Sequence, residues 1–145
     1  MNRSEFAFFH PLRVRWAEVD MQKVVFNGHY MLYFDVAFTE YWRATGLPNS
    51  QVQAREGIEM FLRRATIDYQ ASAEFDDELE IGMRCARLGR SSMTVQGGIF
   101  RGDTFLVGGE LLYVYADVAA KKGVPIPTAW REHLATFERV APETA

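Results

Sequence analysis

A chain of 145 residues is long enough to bury one sizeable core, and we expect a single domain over residues 1–145. The apolar fraction of 48% and the aromatic fraction of 14% exclude a disordered protein, and the net charge of −3 gives no indication of binding to nucleic acid or to an anionic membrane. The single cysteine, Cys85, cannot form an internal disulfide, and no apolar stretch has the length of a membrane span, so we expect a cytoplasmic location.

Residues 8–19 alternate between apolar and polar side chains, which predicts a half-buried strand. The apolar positions are Leu12, Val14 and Trp16, and the polar positions are Arg13 and Arg15. Asp20 continues the apolar parity, so we expect its side chain to turn toward the core.

Residues 28–45 predict a helix, with Asn27 as its N-cap and Gly46 as the residue that follows its last turn. Pro48 blocks any continuation of the helix. The segment is apolar nearly all round, so most of its surface needs to be covered by other elements.

Strand-like segments make up most of the remaining chain, separated by turns at Gly89-Arg90 and at residues 101–103. The expected strands are 57–72, 78–88, 91–101 and 104–118, with a short irregular or helical piece near 49–55, a loop over 119–127 and a short helix over 128–138. Close spacing favours antiparallel pairing, and such a sheet curved around the long helix would bury it. This is an α+β arrangement, and its leftover apolar helix face predicts a dimer or a higher assembly.

The segment from Asp20 to the start of the long helix contains the parts needed for acyl transfer. The first N–H groups of a helix lack internal partners and can hold an oxyanion. A carboxylate beside them can act as a nucleophile or can deprotonate water, and Phe26, Tyr30 and Phe34 would form an apolar wall for an acyl or aryl group. Because a thiol has a pKa of about 8.5 and leaves with little help, these parts suit a thioester better than an amide or an ordinary ester.

Other interpretations of these residues stay open. An aspartate at the end of a strand is often only a turn or cap residue, and Asn27 fits a plain N-cap better than a substrate contact. Glu18 and Asp20 together would suit glycoside hydrolysis, but no sugar-binding surface is recognisable. We expect Cys85 to be a buried, inert thiol, and we expect no cofactor and no metal, since the three histidines lie far apart in the chain. These histidines are His10, His29 and His133.

The segment Arg13–Tyr30, RVRWAEVDMQKVVFNGHY, resembles the hot-dog-fold acyl-CoA thioesterases of the 4-hydroxybenzoyl-CoA thioesterase and YbgC-like type. The likeness continues in Tyr33–Trp42, Gly46–Pro48, Tyr69–Ile81 and Gly89–Ser92, and it spans residues 8–130. The resemblance implies a hot-dog fold, in which a curved antiparallel sheet of five to six strands is wrapped around one long central helix.

The resemblance also implies roles for individual residues. Asp20 would attack the thioester carbonyl or activate water, while backbone N–H groups near Asn27 and Gly28 polarise that carbonyl. Active sites would lie at the interface of a homodimer or homotetramer. The residues expected to contact the substrate are Val25, Phe26, His29, Tyr30 and Phe34, together with Met60 from the other subunit. The expected CoA-binding residues are Arg90, Ser91 and Ser92, which fit a polar hairpin turn equally well.

Three functions remain open. The first is hydrolysis of an acyl- or aryl-CoA to the free acid and CoA. The second is hydrolysis of acyl groups on acyl carrier protein, for which a basic docking patch is available in Arg63, Arg64, Arg84 and Arg87. The third is a non-catalytic module that binds acyl-CoA. The third stays open because Lys23 stands where such enzymes usually have glycine, and Asn27 where they often have an aromatic residue or histidine.

Overall fold

One seven-stranded sheet and three helices form the chain, and the computed structural model describes all residues 1–145. The strands are β1 (Phe8–Arg13), β2 (Ile58–Tyr69), β3 (Glu78–Leu88), β4 (Ser92–Arg101), β5 (Thr104–Asp117), β6 (Lys122–Gly123) and β7 (Glu143–Thr144). The helices are α1 (Asn27–Thr45), α2 (Ser50–Arg55) and α3 (Thr128–Phe137), and two short 3₁₀ turns cover Arg3–Glu5 and Trp16–Glu18.

The five long strands lie in the order β1-β3-β4-β5-β2 with every long pair antiparallel. This sheet packs around α1, so the α+β hot-dog arrangement is confirmed. The two extra strands have two residues each: β6 pairs with β5 inside the expected loop 119–127, and β7 pairs with β3. Strand β2 pairs only with β5, which leaves its other edge without a strand partner.

Paired glycines of β4 and β5 fix the distance between the sheet and α1. Gly97 lies opposite Gly109, and the fully buried ring of Phe34 from α1 lies against both. A Cβ atom built on Gly97 would stand 2.5 Å from that ring, and one built on Gly109 would stand 2.9 Å from it. The missing side chains therefore make the space that Phe34 occupies.

A second glycine row serves the opposite face of the sheet, because neighbouring residues of a strand point to opposite sides. Gly82, Gly98 and Gly108 lie side by side across three strands. A Cβ atom on Gly82 would stand 2.7 Å from the ring of Phe6, and one on Gly98 would stand 2.9 Å from the sulfur of Met1. The N-terminal segment therefore packs directly on the sheet backbone.

The first strand is shorter than the alternation over residues 8–19 predicts. It ends at Arg13, and Trp16–Glu18 forms a 3₁₀ turn. As a result Trp16, expected on the apolar face, is 74% exposed, whereas Glu18 is 4% exposed. Val14 still bonds to the segment before β3, through Asp77 O and Asp76 N, and the chain then leaves the sheet for the 3₁₀ turn.

The long helix starts one residue earlier than expected. Phe26 is the N-cap, with extended φ and ψ of −60° and 135°, and Asn27 is the first helical residue, so the N-cap prediction for Asn27 is wrong. At the other end Gly46 has a φ of +76°, as the sequence predicts for the residue that closes a helix. Leu32 and Val36 are exposed on the helix face that the sheet leaves free. No helix in the chain is long and apolar enough to cross a lipid bilayer.

Candidate active site

Asp20 lies in a tight turn that presents its carboxylate at the surface of the loop. Its Oδ1 accepts a hydrogen bond from the Gln22 N–H at 2.8 Å, and its C=O accepts one from the Lys23 N–H at 3.0 Å. The other carboxylate oxygen accepts none within the chain. Asp20 is a half-buried turn residue with one free oxygen. Because residues 19–20 are not part of a strand, the alternation over residues 8–19 does not determine its side-chain direction, and the core-facing orientation stays a prediction.

Lys23 gives this turn its shape. It has a φ of +64°, a left-handed conformation that glycine adopts at no steric cost. The position at which the resembling enzymes usually have glycine is left-handed in this chain, and the lysine bears some strain. The lysine side chain is exposed.

The base of the Asp20 loop is closed by three contacts. Val19 and Val25 form an isolated antiparallel bridge, the Phe26 N–H donates to Glu18 O at 2.9 Å, and the Val25 N–H donates to Ala73 O at 2.9 Å. The loop is therefore held between its own two ends and the segment that precedes β3.

The start of α1 leaves two backbone N–H groups without a partner. The His29 N–H donates to Phe26 O, but those of Asn27 and Gly28 have no backbone acceptor. These amides are at the positive end of the helix dipole, where an oxyanion is stabilised. The Phe26 ring lies beside Gly28, where a Cβ atom would stand 3.0 Å from it. The sequence prediction of donors at Asn27 and Gly28 is therefore compatible with the geometry.

The expected substrate contacts differ in their access to solvent. Val25, Tyr30 and Phe34 are buried, and the Tyr30 hydroxyl accepts a hydrogen bond from the Ala73 N–H at 3.0 Å. Phe26 is 50% exposed and meets the partly exposed His29 ring edge to face at 6.1 Å. Phe26 and His29 are thus the two side chains that border the free amides, whereas Phe34 belongs to the contact between the helix and the sheet. The substrate roles of all five residues stay predictions.

Met60 and the expected CoA-binding residues lie at the other end of the sheet. Met60 is near the start of β2, and residues 90–92 lie where the turn after β3 leads into β4, whereas the Asp20 loop packs beside the start of β3. Strand β3 has 11 residues, so these two ends are separated by about 30 Å at about 3.3 Å per residue. Within one chain the predicted site is therefore split.

The turn at residues 90–92 is well anchored through its backbone. The carbonyl of Arg90 accepts from the Ile126 N–H at 2.9 Å, and the carbonyl of Ser91 accepts from the Tyr115 N–H at 2.8 Å. The Arg90 side chain is exposed and forms no ion pair within the chain. This geometry fits both the structural turn and a CoA contact, so CoA binding by Arg90, Ser91 and Ser92 stays a prediction.

A groove of about 680 Å³ runs between the second half of α1, α2 and the first residues of β2. Its lining includes Asp35, Phe38 and Met60, and Tyr113 lies at its base with a buried hydroxyl that has no hydrogen-bond partner. Burial, with a smaller contribution from the negative charge of Asp35, raises the pKa of Tyr113, so its hydroxyl stays protonated.

The four arginines considered as a docking patch do not share one surface. Arg64, Arg84 and Arg87 line a groove on the outer face of the sheet, whereas Arg63 lines a different one. The first groove also contains the carboxylates of Glu110 and Glu143, and Arg64 pairs with Glu110 at 3.8 Å. The positive charge expected there is therefore largely balanced.

A buried carboxylate beside the Asp20 loop was not predicted as a site residue. Glu18 accepts hydrogen bonds from the Tyr33 hydroxyl at 2.9 Å, from the Arg15 N–H at 2.8 Å and from the Arg15 guanidinium at 2.7 and 3.2 Å. Burial raises the pKa of Glu18, but the hydrogen bonds from Arg15 and Tyr33 outweigh it and hold the pKa below the ordinary value, so the group is charged. The only sequence signal was a glutamate three residues after an arginine.

Cys85 is confirmed as a buried thiol. Burial, together with the charge of Glu138, raises its pKa to about 12, which leaves almost no thiolate at neutral pH. No group of three or more histidine, cysteine, aspartate or glutamate side chains has an arrangement that could hold a metal ion.

Comparison with known proteins defines the class. Residues 22–107 match the model of the thioesterase superfamily. The chain is 29% identical over 128 residues to the acyl-CoA thioester hydrolase YbgC of Escherichia coli O6:H1, covering 88% of this chain and 93% of that protein. The crystal structure of the PA5185 protein from Pseudomonas aeruginosa superposes with a TM-score of 0.81 at 26% identity, covering 95% of this chain and 96% of that one.

A 1,4-dihydroxy-2-naphthoyl-CoA thioesterase from Synechocystis shares the fold, with a TM-score of 0.80 at 19% identity over 88% of this chain and 94% of that one. The matched region includes the Asp20 loop from residue 22 onward, α1 and most of the sheet. The chain therefore belongs to the thioesterase superfamily. It is accordingly a thioester hydrolase.

Proposed function

We propose that this chain hydrolyses acyl-CoA or aryl-CoA thioesters, with Asp20 as the reacting carboxylate and the free amides of Asn27 and Gly28 as the oxyanion site. One observation carries the proposal. A carboxylate oxygen of Asp20 and the N–H groups of Asn27 and Gly28 all lack a hydrogen-bond partner in the chain, and they lie on one short loop and the start of the helix that follows it. Unpartnered groups of opposite polarity are what a substrate carbonyl and a water molecule require.

The chemistry follows from these groups in two forms. As a general base, Asp20 takes a proton from water, the water oxygen bonds to the carbonyl carbon, and negative charge develops on the carbonyl oxygen beside the Asn27 and Gly28 amides. The carbon–sulfur bond then breaks, the thiolate of CoA leaves, and the proton held by Asp20 passes by way of solvent to that thiolate. As a nucleophile, Asp20 first forms a mixed anhydride and releases the thiolate, and water then hydrolyses the anhydride.

The loop contains no hydrogen-bonded pair of acid–base side chains, since the Asp20 carboxylate bonds only to the Gln22 N–H, and this favours a thioester. Amide or alkoxide leaving groups need a positioned proton donor, and the partly exposed His29 is the nearest residue of that kind in the sequence. The thiolate of CoA leaves without such help. The relative named acyl-CoA thioester hydrolase supports CoA as the carrier, and the balanced charge around Arg64 and Glu110 gives no support to a carrier-protein docking patch.

We further propose that two copies complete each site. Strand β2 has an open edge, and apolar side chains are exposed along it and on the free face of α1: Phe61, Leu62, Tyr69, Leu32 and Val36. Two β2 edges paired antiparallel about a two-fold axis would set the Asp20 end of one copy beside the Met60 end of the other. That arrangement unites the two halves that lie about 30 Å apart in one chain.

Replacement of Asp20 by asparagine tests the reaction. Asp20→Asn keeps an oxygen that accepts the Gln22 N–H, so the turn persists, but the side chain can no longer act as a base or nucleophile. We expect kcat for thiol release from an acyl-CoA to fall by about three orders of magnitude, with KM changed much less. Asp103→Asn, in the exposed turn between β4 and β5, is the matched control and keeps wild-type turnover. Wild-type turnover in folded Asp20→Asn would falsify the assignment.

Mixing two inactive variants tests the shared site. We expect Asp20→Asn and Met60→Arg each to abolish activity, and their mixed dimers to contain one site with both residues intact. After unfolding and refolding an equal mixture, activity should return to about a quarter of the wild-type value, because half the dimers are mixed and each has one working site. A mixture as inactive as its components, or an active Met60→Arg variant, contradicts the shared site.

A further inference from the structure

Glu18 connects three parts of the structure that surround the Asp20 loop. Its carboxylate accepts the Tyr33 hydroxyl of α1 and three N–H groups of Arg15, from the chain that enters the loop. Its backbone carbonyl accepts the N–H of Phe26, the N-cap of α1. One residue therefore holds the strand side of the loop, the helix side of the loop and the second turn of the helix.

This connection lies next to both reacting groups. Along the chain, Asp20 follows Glu18 by two residues, and the free amides of Asn27 and Gly28 follow Phe26 directly. The loop between Glu18 and Phe26 is short, and its remaining internal ties are the Val19–Val25 bridge and the bonds within the Asp20 turn. Displacement of Glu18 would therefore move the carboxylate and the amides relative to one another.

We infer that Glu18, held by Tyr33 and Arg15, is a positioning residue that fixes the distance between the Asp20 carboxylate and the oxyanion amides of α1. The inference rests on the proposed function, since positioning has a meaning only if Asp20 reacts. Glu18 itself does not touch the substrate, because its side chain is buried and all its hydrogen bonds are to the protein.

A purely structural role is the alternative, and the chain contains an internal control for it. At the other end of α1 the hydroxyl of Tyr41 donates to a second buried glutamate, Glu138 of the segment after α3. This pair also joins the helix to another part of the chain, but it is more than two helical turns from Tyr33 and does not contact the Asp20 loop. Loss of the tyrosine hydroxyl removes a buried hydrogen bond to a glutamate at either end, and at Tyr41 it also removes the bond accepted from the Cys85 N–H at 3.2 Å.

Three variants separate the two roles through steady-state thiol release from an acyl-CoA. We expect Glu18→Gln to lower kcat by about 100-fold and Tyr33→Phe by about 10-fold, each with KM within about twofold, since misplacement of the reacting group affects turnover more than binding. Tyr41→Phe should leave kcat within about twofold of wild type while losing comparable stability in urea unfolding. Tyr33→Phe keeps the test available if Glu18→Gln does not fold.

Amide hydrogen exchange of residues 19–28 supplies a readout that is independent of activity. We expect faster exchange of this segment in Glu18→Gln and Tyr33→Phe than in the wild type, and no change in Tyr41→Phe. Unchanged kcat and unchanged exchange in folded Tyr33→Phe, or an equal loss of kcat in Tyr41→Phe, overturns the inference. If the wild-type protein releases no thiol from any acyl-CoA, the proposed function fails, whereas an active enzyme that tolerates both changes defeats only the role of Glu18.

Discussion

The two ends of α1 are built from the same pair of residue types and behave in opposite ways. Near the start of the helix, Tyr33 donates to Oε1 of Glu18, which also accepts the Arg15 backbone N–H, while the Arg15 guanidinium donates twice to Oε2. Near the end of the helix, Tyr41 donates to one oxygen of Glu138, while the other oxygen is buried without a partner.

The two glutamates differ in the direction of their pKa shift. At Glu18, burial raises the pKa, but the bonds from Arg15 and Tyr33 outweigh it and the net shift is downward. At Glu138, burial raises the pKa and the hydrogen bonds from Tyr41 and the Cys85 N–H do not offset it. The carboxylate beside the open, amide-bearing end of the helix therefore has a lowered pKa, whereas the carboxyl group at the closed end has a raised pKa.

The largest effect is expected from removal of one free backbone amide at the start of α1. Asn27→Pro deletes the N–H at the first helical position, where proline is well tolerated, and Phe26 already has the extended conformation that proline demands of the residue before it. We expect kcat to fall by about 100- to 1,000-fold, the usual cost of losing an oxyanion donor, with the urea midpoint nearly unchanged.

Thr128→Pro is the matched control for this change. Thr128 is the first residue of α3, and Pro127 before it is also extended, so the same N–H is removed from a helix that has no part in the proposed reaction. Wild-type kcat is expected there. A wild-type kcat in Asn27→Pro would show that the Asn27 amide does not stabilise the transition state.

The pH dependence of stability distinguishes the two glutamates by sign. Glu18 has a folded pKa below 4.5, so its contribution is complete above that value and is lost as the pH falls through the folded pKa. Glu138 has a folded pKa above 4.5, so its contribution is present below that value and is lost as the pH rises through the folded pKa. The slope from either group is limited to about 1.4 kcal/mol per pH unit.

Urea unfolding of Glu18→Gln and Glu138→Gln across this range measures the two signs. Relative to wild type, the deficit of Glu18→Gln should shrink as the solution becomes more acidic, and Glu138→Gln should gain stability as the pH rises above 4.5. Two differences with the same sign would contradict the contrast between the two ends.

The smallest expected effect concerns the closure of the helix. Gly46 has a φ of +76°, and a Cβ atom built there meets nothing within 4 Å. Gly46→Ala should therefore lower the free energy of unfolding by about 1 kcal/mol through backbone strain alone, with kcat unchanged. An unaltered urea midpoint would mean that the chain closes this helix without a left-handed residue.

Sequence periodicity correctly predicted the elements whose boundaries depend only on local sequence. Strand β3 has the boundaries 78–88 that the pattern indicates, and α1 ends where Gly46 predicts. The pattern failed after Arg13, because the burial of Glu18 depends on Tyr33, which lies 15 residues away and comes from another element. Apolar and polar residues continue to alternate as far as Trp16, but the backbone there is no longer a strand.

The site was predictable in part for the same reason. Asp20, Asn27 and Gly28 are recognisable because they are close in sequence and their relation to a helix start is local. The hydrogen bonds of Glu18 to Tyr33 and Arg15 were not predictable, since no local sequence signal distinguishes a buried glutamate from a solvated one. Phe34 was expected beside the substrate, but its depth is set by Gly97 and Gly109, whose pairing only the sheet register reveals.

The adjacent glycines of β4 and β5 have a consequence for how this architecture can vary. At these glycines only the sheet backbone separates Phe34 on one face from the Met1–Phe6 segment on the other. A methyl group added to Gly97 or Gly109 would displace Phe34, and α1 would have to move with it, whereas one added to Gly82 would displace Phe6 of the N-terminal segment. The lack of side chains at Gly97 and Gly109 thus sets the distance between α1 and the sheet, and with it the position of the helix start relative to the Asp20 carboxylate.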